Sequence, residues 1–228
     1  MKRLGATILT DVRLQFRNGF YYATIWIVVC SIVFLRWLPE ETARFLLPVF
    51  IIENVMMNAF YFVGGLLLLE RSEGTFIVQS VTPLRDDEYL GSKVMTLTVL
   101  SLLESLAIAL AVLGFDQSLF AIALGVAIAA LLMCMVGVAL VVRYDSINEF
   151  LMPSVLYTFL LSLPVLGYFG IGDVAWFLPH PIQGPFALMQ VDVPFTTGSV
   201  VYAIGYPLLW LAPAYLWSRR ALRRYRTA

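Results

Sequence analysis

The sequence predicts an all-α integral membrane protein, and three observations support this fold class. Hydrophobic residues make up 61% of the chain and charged residues only 13%, whereas roughly a quarter of the residues in soluble proteins are charged. Apolar runs of about 18 residues or more recur along the chain, and a helix of that length crosses a hydrocarbon core roughly 30 Å thick. Lys and Arg are also distributed unevenly between these runs, which indicates one fixed orientation in the bilayer.

Six apolar runs are long enough to span the membrane. They cover residues 20–38, 45–69, 94–115, 119–142, 150–171 and 199–217. Together they leave no room for a soluble domain, so we expect one transmembrane domain over residues 1–228. No short apolar core with a small-residue cleavage site precedes the first run, so no removable signal peptide is predicted.

The basic residues predict the orientation of these spans. Thirteen of the 15 Lys and Arg residues fall on one side of a six-span arrangement, and only Arg36 and Arg44 fall on the other. Because basic residues accumulate on the cytoplasmic side, we expect a multi-pass protein of the cell membrane with both termini in the cytoplasm. The basic tail after Trp217 favours an anchor at anionic lipid over a nucleic-acid patch.

The N-terminal segment 4–19 is predicted to form an amphipathic helix in the inner membrane interface. Apolar Leu4, Ile8, Val12 and Phe16 recur at every fourth position. The polar residues fall mostly on the other side of the helix: Arg3, Thr7, Asp11, Arg13, Gln15 and Arg17. A turn at Asn18-Gly19 leads into the first span.

Polar residues inside the second and third spans are candidates for a substrate path. They are Glu53, Asn54, Asn58 and Glu104. Ionisable groups in hydrocarbon cost about 2.5 kcal/mol or more, so they usually face a bundle interior, a cavity or an interface. Asn58 and Glu104 each lie about 16 Å from the inner ends of their spans and Glu53 about 24 Å, so we expect the first two to meet. An interhelical hydrogen bond is the structural alternative to a substrate path.

The last three spans contain small residues and prolines that predict how these helices pack and bend. The small residues of 119–142 predict a helix in the middle of the bundle, and Pro153 and Pro164 predict kinks in 150–171. Residues 172–198 are semi-apolar and predict an outer re-entrant or interfacial helical hairpin, broken at its prolines, before the last span. The only histidine, His180, has no second ligand at metal-binding spacing, so no metal site is predicted.

The sequence contains no catalytic motif. There is no Gly-x-x-x-x-Gly-Lys-Ser/Thr loop, no His-Glu-x-x-His pair and no Gly-x-Ser-x-Gly elbow, so no ATPase site, zinc hydrolase or serine hydrolase is predicted. Neither a cofactor nor a catalytic residue is assigned to this chain. An intramembrane enzyme using Glu53 or Glu104 remains an open alternative.

A polar loop over residues 70–93, the central loop, interrupts the apolar runs and is predicted to be a docking surface. Its segment 73–80 can form a short helix across the membrane face. Thr82 would cap a second helix with Pro83 at its first position, and the acids at 86–88 then sit early in a helix that runs into the third span. The candidate docking and coupling residues are Glu70, Glu73, Gly74, Thr75, Phe76, Pro83, Glu88 and Lys93.

At these residues the chain resembles the membrane subunit of type-two ABC exporters. The matching positions are Glu70, Glu73-Gly74-Thr75, Pro83 and Leu90-Gly91-Ser92-Lys93. The opening stretch 11–22 is similar to the drug-export subgroup associated with fluoroquinolones.

The resemblance implies a permease paired with a second copy or a paralogue, and a cytosolic ATPase subunit that binds the central loop and supplies the ATP and Mg²⁺ site. Such a complex would move a hydrophobic or amphipathic molecule outward, a drug such as a fluoroquinolone being one candidate. Two alternatives stay open: a haem-exporter-like subunit of cytochrome maturation, and a membrane sensor or assembly protein that transports nothing.

Overall fold

All regular structure in the described part of the chain is helical, as predicted. The computed structural model describes residues 2–74, 85–116, 118–191, 193–194 and 196–227. Its helices are α1 Lys2–Arg17, α2 Phe20–Trp37, α3 Glu40–Met56, α4 Phe62–Ser72, α5 Asp86–Leu113, α6 Ser118–Val141, α7 Ile147–Leu161, α8 Leu163–Tyr168, α9 Gln183–Met189 and α10 Thr197–Thr227. A π-helical turn, Met57–Tyr61, joins α3 to α4, and a 3-10 turn, Val174–Phe177, precedes α9.

Five helical units in the described residues are long and apolar enough to cross a membrane. They are α2, the continuous unit Glu40–Ser72, α5, α6 and α10, which confirms a multi-pass membrane protein. The predicted span 150–171 is instead divided into α7 and α8, and the division falls just before Pro164. Proline has no N–H and its ring clashes with the preceding turn, so the predicted kink at Pro164 is a break. The sixth span stays a prediction.

Helix α6 lies in the middle of the bundle and contacts α3, α4, α5, α9 and α10. Its glycines explain how closely these neighbours approach. A Cβ atom at Gly137 would lie 2.7 Å from Cγ1 of Val63, and one at Gly125 would lie 2.6 Å from the carbonyl oxygen of Pro185. The small-residue prediction for this helix is therefore confirmed.

The segment between α8 and α10 forms two short helical pieces separated at Pro179 and Pro181. Helix α9 packs against α6 and α10, and the hydroxyl groups of Tyr202 and Tyr206 donate to backbone carbonyls of this segment at 2.6 Å. The segment is helical and broken at its prolines, as expected. The re-entrant or interfacial hairpin, and its depth in the bilayer, stay predictions.

His180 fastens this hairpin to α7. Its Nε2 lies 3.1 Å from the carbonyl oxygen of Leu160, while its Nδ1 accepts the N–H of Ile182 at 3.2 Å. A ring that accepts at Nδ1 and donates at Nε2 is the neutral tautomer. Burial lowers the pKa of His180, which favours the same neutral form, so the side chain serves a structural role.

Helix α1 packs on the bundle partly through its polar side. Asp11 and Gln15, which the helical pattern places on that side, are its most buried residues, whereas Leu9 and Phe16 are about half exposed. The physical reason is that α5 presents polar groups to α1. Ile8 and Val12 of the apolar stripe are half-buried and line a cavity between α1 and α5.

We predict that Gly125→Ala destabilises the protein by about 1–3 kcal/mol, because the new methyl group would overlap a backbone oxygen that cannot rotate away. Gly205→Ala in α10 is the matched control, since nothing lies within 4 Å of a Cβ there. Thermal unfolding in detergent, followed by size-exclusion chromatography, measures both variants. Equal stability of the two would contradict the packing of α9 on α6.

Candidate functional site

Three charged side chains are buried together at one end of the bundle. We call it the inner end, because the distribution of Lys and Arg predicts that it faces the cytoplasm. Lys93 on α5, Glu70 on α4 and Asp11 on α1 are only 0%, 3% and 4% exposed. Lys93 Nζ lies 3.0 Å from Oδ1 of Asp11 and 2.5 Å from Oε1 of Glu70. We call Asp11, Glu70 and Lys93 the Lys93 cluster.

Neighbouring hydroxyl groups complete the hydrogen bonding of this cluster. The Tyr89 hydroxyl donates to Oε2 of Glu70, and the Ser92 hydroxyl donates to Oδ2 of Asp11. Lys93 Nζ also lies 4.7 Å from the centroid of the Tyr89 ring, within the range of a cation–π contact. Each carboxylate therefore has a partner at both oxygens. The geometry follows from helical spacing, since residues three and four apart share one face of α5.

Hydrogen bonds extend this network one turn further along α5. Gln15 Nε2 donates to Oγ1 of Thr96 at 2.9 Å, and the Tyr21 hydroxyl donates to Oε1 of Gln15 at 3.1 Å. The polar side of α1 is thus matched to α5 and to the start of α2. Buried lysines and acids are rare unless paired, and here the pairing joins α1, α4 and α5.

Glu70 and Lys93, two of the predicted docking and coupling residues, are buried rather than solvated. Both side chains are enclosed, so in this conformation neither offers a group to a partner protein. Instead they fasten the two ends of the central loop to each other and to α1. The sequence alone could not distinguish these roles, because a charged residue at a span boundary is usually solvated.

Of the other predicted docking and coupling residues, the structure describes Glu73, Gly74 and Glu88. Glu73 is exposed and pairs with Arg17 at 3.1 Å, and Gly74 adopts a positive φ of 67°, as glycine readily does. Glu88 accepts the backbone N–H of Arg85 at 3.1 Å, which caps α5. Thr75, Phe76, Pro83 and the predicted Thr82 cap lie outside the described residues. The predicted helix over 73–80 lies largely outside them.

The first turn of α5 is also attached to the C-terminal helix. Arg219 and Tyr215 on α10 donate to the carboxylate of Asp87, at 3.1 and 2.7 Å, and Arg223 donates to Asp86 at 3.1 Å. Acids in a first helical turn are stabilised by the helix dipole, as predicted. Two arginines of the basic tail therefore bind protein rather than only lipid.

At mid-membrane, the structure brings Asn58 and Glu104 together, as expected from their depths. The Glu104 carboxyl group faces the Asn58 side chain, although neither carboxyl oxygen has a well-formed hydrogen bond among the described residues. Thr24 on α2 donates to Oδ1 of Asn58 at 3.0 Å. Asn58 belongs to the π-helical turn, and such turns often occur at functional positions.

Glu53 and Asn54 belong to a different region. Glu53 is exposed on the outside of the bundle and accepts a hydrogen bond from Ser162 at 3.1 Å. With Asn54 it lines an open groove of about 350 Å³ between α2 and α3. The four candidate path residues therefore divide between the interior, where Asn58 and Glu104 lie, and the groove, which Glu53 and Asn54 line; the Asn58 amide donates to the Asn54 carbonyl between them at 3.4 Å.

Sequence reasoning missed Asp11, Gln15, Tyr89 and Ser92 as partners in the site. One signal was present: Thr7, Asp11 and Gln15 recur at every fourth position of an amphipathic helix. Polar side chains that recur at helical spacing are compatible with a helix face that packs on protein. The identity of its partner required the three-dimensional arrangement.

We predict that Lys93→Met lowers the free energy of unfolding by about 3–5 kcal/mol, because two buried carboxylates lose their counter-charge. The triple variant Asp11→Asn, Glu70→Gln, Lys93→Met should recover most of that loss, since no buried charge remains. Arg17→Gln, which removes an exposed pair, should cost less than about 1 kcal/mol. Unfolding in detergent measures all three. Equal stability of the single and triple variants would contradict a charge-based role.

Comparison with known proteins identifies the family. Residues 2–228 match the profile of the fluoroquinolones export permease protein family. Two fluoroquinolones export permease proteins of Mycobacterium tuberculosis, from the CDC 1551 / Oshkosh and the ATCC 25618 / H37Rv strains, are each 27% identical over 216 residues, covering 93% of this chain and 91% of each relative. The chain belongs to the fluoroquinolones export permease protein family.

Proposed function

We propose that this chain is the membrane subunit of an ATP-driven exporter that moves a hydrophobic or amphipathic small molecule outward across the cell membrane. In this proposal ATP and Mg²⁺ bind to a separate cytosolic ATPase subunit, and a second permease copy or a paralogue completes the transporter. Membership of an export permease family supports the transport class over an enzyme, a sensor or a haem-exporter-like subunit. A fluoroquinolone is a candidate substrate because the relatives carry that name.

The observation that carries the proposal is the mechanical continuity between the central loop and the bundle. Helix α5 runs unbroken for 28 residues from Asp86 to Leu113, so a displacement at the loop is transmitted along about 40 Å of rigid helix. The Lys93 cluster fixes α1 and α4 to the same helix. A partner pressing on the loop would thus move three helices together.

The exposed part of the loop offers the partner a polar surface. Glu73 and Arg85 are exposed at its two described ends, while Glu70 and Lys93 are enclosed beneath them. We assign docking to Glu73, Gly74 and Glu88 together with Thr75, Phe76 and Pro83, and coupling to Glu70 and Lys93. This division separates binding of the ATPase from transmission of its motion.

We predict that the double variant Glu73→Ala, Phe76→Ala reduces recovery of a co-purifying ATPase, and ATP-driven uptake of a fluoroquinolone into inside-out vesicles, by about tenfold or more, because docking contacts at interface centres carry much of the affinity. Affinity purification in mild detergent with mass spectrometry, and a vesicle transport assay, measure the two effects.

The matched control is Arg17→Ala. It breaks the same Arg17–Glu73 ion pair but leaves both proposed docking residues in place, so recovery and uptake should stay within about twofold, as for most exposed pairs. An equal loss in both variants would show that Glu73 acts through its ion pair. Purification of the wild-type chain without any ATPase would contradict the proposed function.

A further inference from the structure

We propose that the groove between α2 and α3 is a binding site for a protonated amine carried on an apolar or aromatic body. This inference rests on the proposed function, because it names the substrate class of the export step. The groove holds about 350 Å³, within the roughly 300–1,000 Å³ range of small-molecule sites. It lies against the C-terminal half of α3, and Glu53 is about 12 Å along the helix from Phe45.

The polar groups of the groove accept hydrogen bonds and leave acceptor capacity unused. Glu53 is exposed and takes one hydrogen bond, from the Ser162 hydroxyl, whereas an ionised carboxylate has about four acceptor positions. Asn54 is 5% exposed and its Oδ1 has no partner among the described residues. Both residues line the groove.

The orientation of the Asn54 amide follows from its own hydrogen bonds. Nδ2 donates to the carbonyl oxygen of Phe50 at 2.7 Å and lies 3.5 Å from the Ser31 hydroxyl. The nitrogen must point at the Phe50 carbonyl because a carbonyl can only accept. The unpaired atom is therefore the amide oxygen, which is enclosed in the wall of the groove that Glu53 also lines.

An unpaired acceptor requires a hydrogen-bond donor, and a carboxyl group in an apolar belt must either take up a proton or meet a cation. A lipid acyl chain supplies neither a donor nor a charge, so lipid alone would leave the unused acceptor positions of Glu53 without a partner in hydrocarbon, at a cost of several kcal/mol. A protonated amine supplies N–H donors and a positive charge at once. It would pair with Glu53 in the groove that Asn54 also lines.

The remaining walls of the groove fit an apolar or aromatic body. They are formed by Ile27, Val49, Phe50 and Met57. The Phe50 ring stacks on Phe34 of α2, with centroids 5.4 Å apart, so it presents a fixed aromatic surface. Aromatic ligands stack favourably on such rings. The ligand class is accordingly an amphipathic amine that enters from the bilayer.

The test uses two probes that differ in charge at one nitrogen. Ciprofloxacin carries a basic piperazine amine, and its N-acetyl derivative does not. Their dissociation constants are measured by equilibrium dialysis against the full-length protein in lipid nanodiscs. We expect Glu53→Gln to weaken ciprofloxacin binding by about tenfold or more, because a charged hydrogen bond is lost, and to leave N-acetylciprofloxacin binding within about twofold. Asn54→Leu should weaken ciprofloxacin by a smaller factor.

The matched control is Glu41→Gln, which removes one exposed acid from the first turn of the same helix and should leave both dissociation constants unchanged. Equal effects of Glu53→Gln on the two probes, or no effect on either, would overturn the inference. A shift in oligomeric state of Glu53→Gln by native mass spectrometry, with ciprofloxacin binding unchanged, would also overturn it and make the groove an interface between copies.

The two proposals fail in different ways. If the amine binds as expected but the wild-type protein supports no ATP-driven transport, the exporter function fails and the amine site stands. If wild-type vesicles transport ciprofloxacin and Glu53→Gln leaves its binding unchanged, the amine site fails and the exporter function stands.

Discussion

The ammonium group of Lys93 determines how the inner end of this protein is assembled. It is enclosed between the carboxylates of Asp11 and Glu70, and a buried charge of either sign would cost several kcal/mol without the others. The three residues come from α1 and from the two helices that bound the central loop. Because none of the three charges can be buried without the others, they hold three separate segments together as one unit, at the position where the proposed ATPase subunit would act.

Outside this unit, the bundle contains two polar sites with opposite relations to the membrane. Glu104 and Asn58 face each other in the interior, where they join α5 to the π-helical turn that contains Asn58. Glu53 lies on the outer surface of the protomer, where hydrocarbon or a ligand must meet it. Glu53 and Asn58 lie only about one and a half turns apart on the continuous helical unit Glu40–Ser72.

Much of this arrangement was predictable from sequence because long apolar runs and basic-residue counts are strong signals. The depths of Asn58 and Glu104 indicated that they could meet, but not that they face each other, and the central position of α6 followed from its glycines and alanines. The packing of α1 was not predictable, because the helical pattern shows which side is polar but not whether water or α5 faces it. The burial of Glu70 and Lys93 was missed for the same reason: pairing at a span boundary depends on which helices approach.

The claim that α1 and α5 form one rigid unit through Lys93 is tested most directly by a distance measurement between them. Spin labels at Arg13, which is exposed, and at Gly91, where nothing lies within 4 Å of a Cβ, would be introduced after replacing Cys30 and Cys134. Pulsed electron paramagnetic resonance in nanodiscs should give one narrow distance distribution that does not change on adding the ATPase partner and ATP, and that broadens in Lys93→Met. A distribution that shifts on nucleotide binding, or that is unaffected by Lys93→Met, would contradict the account.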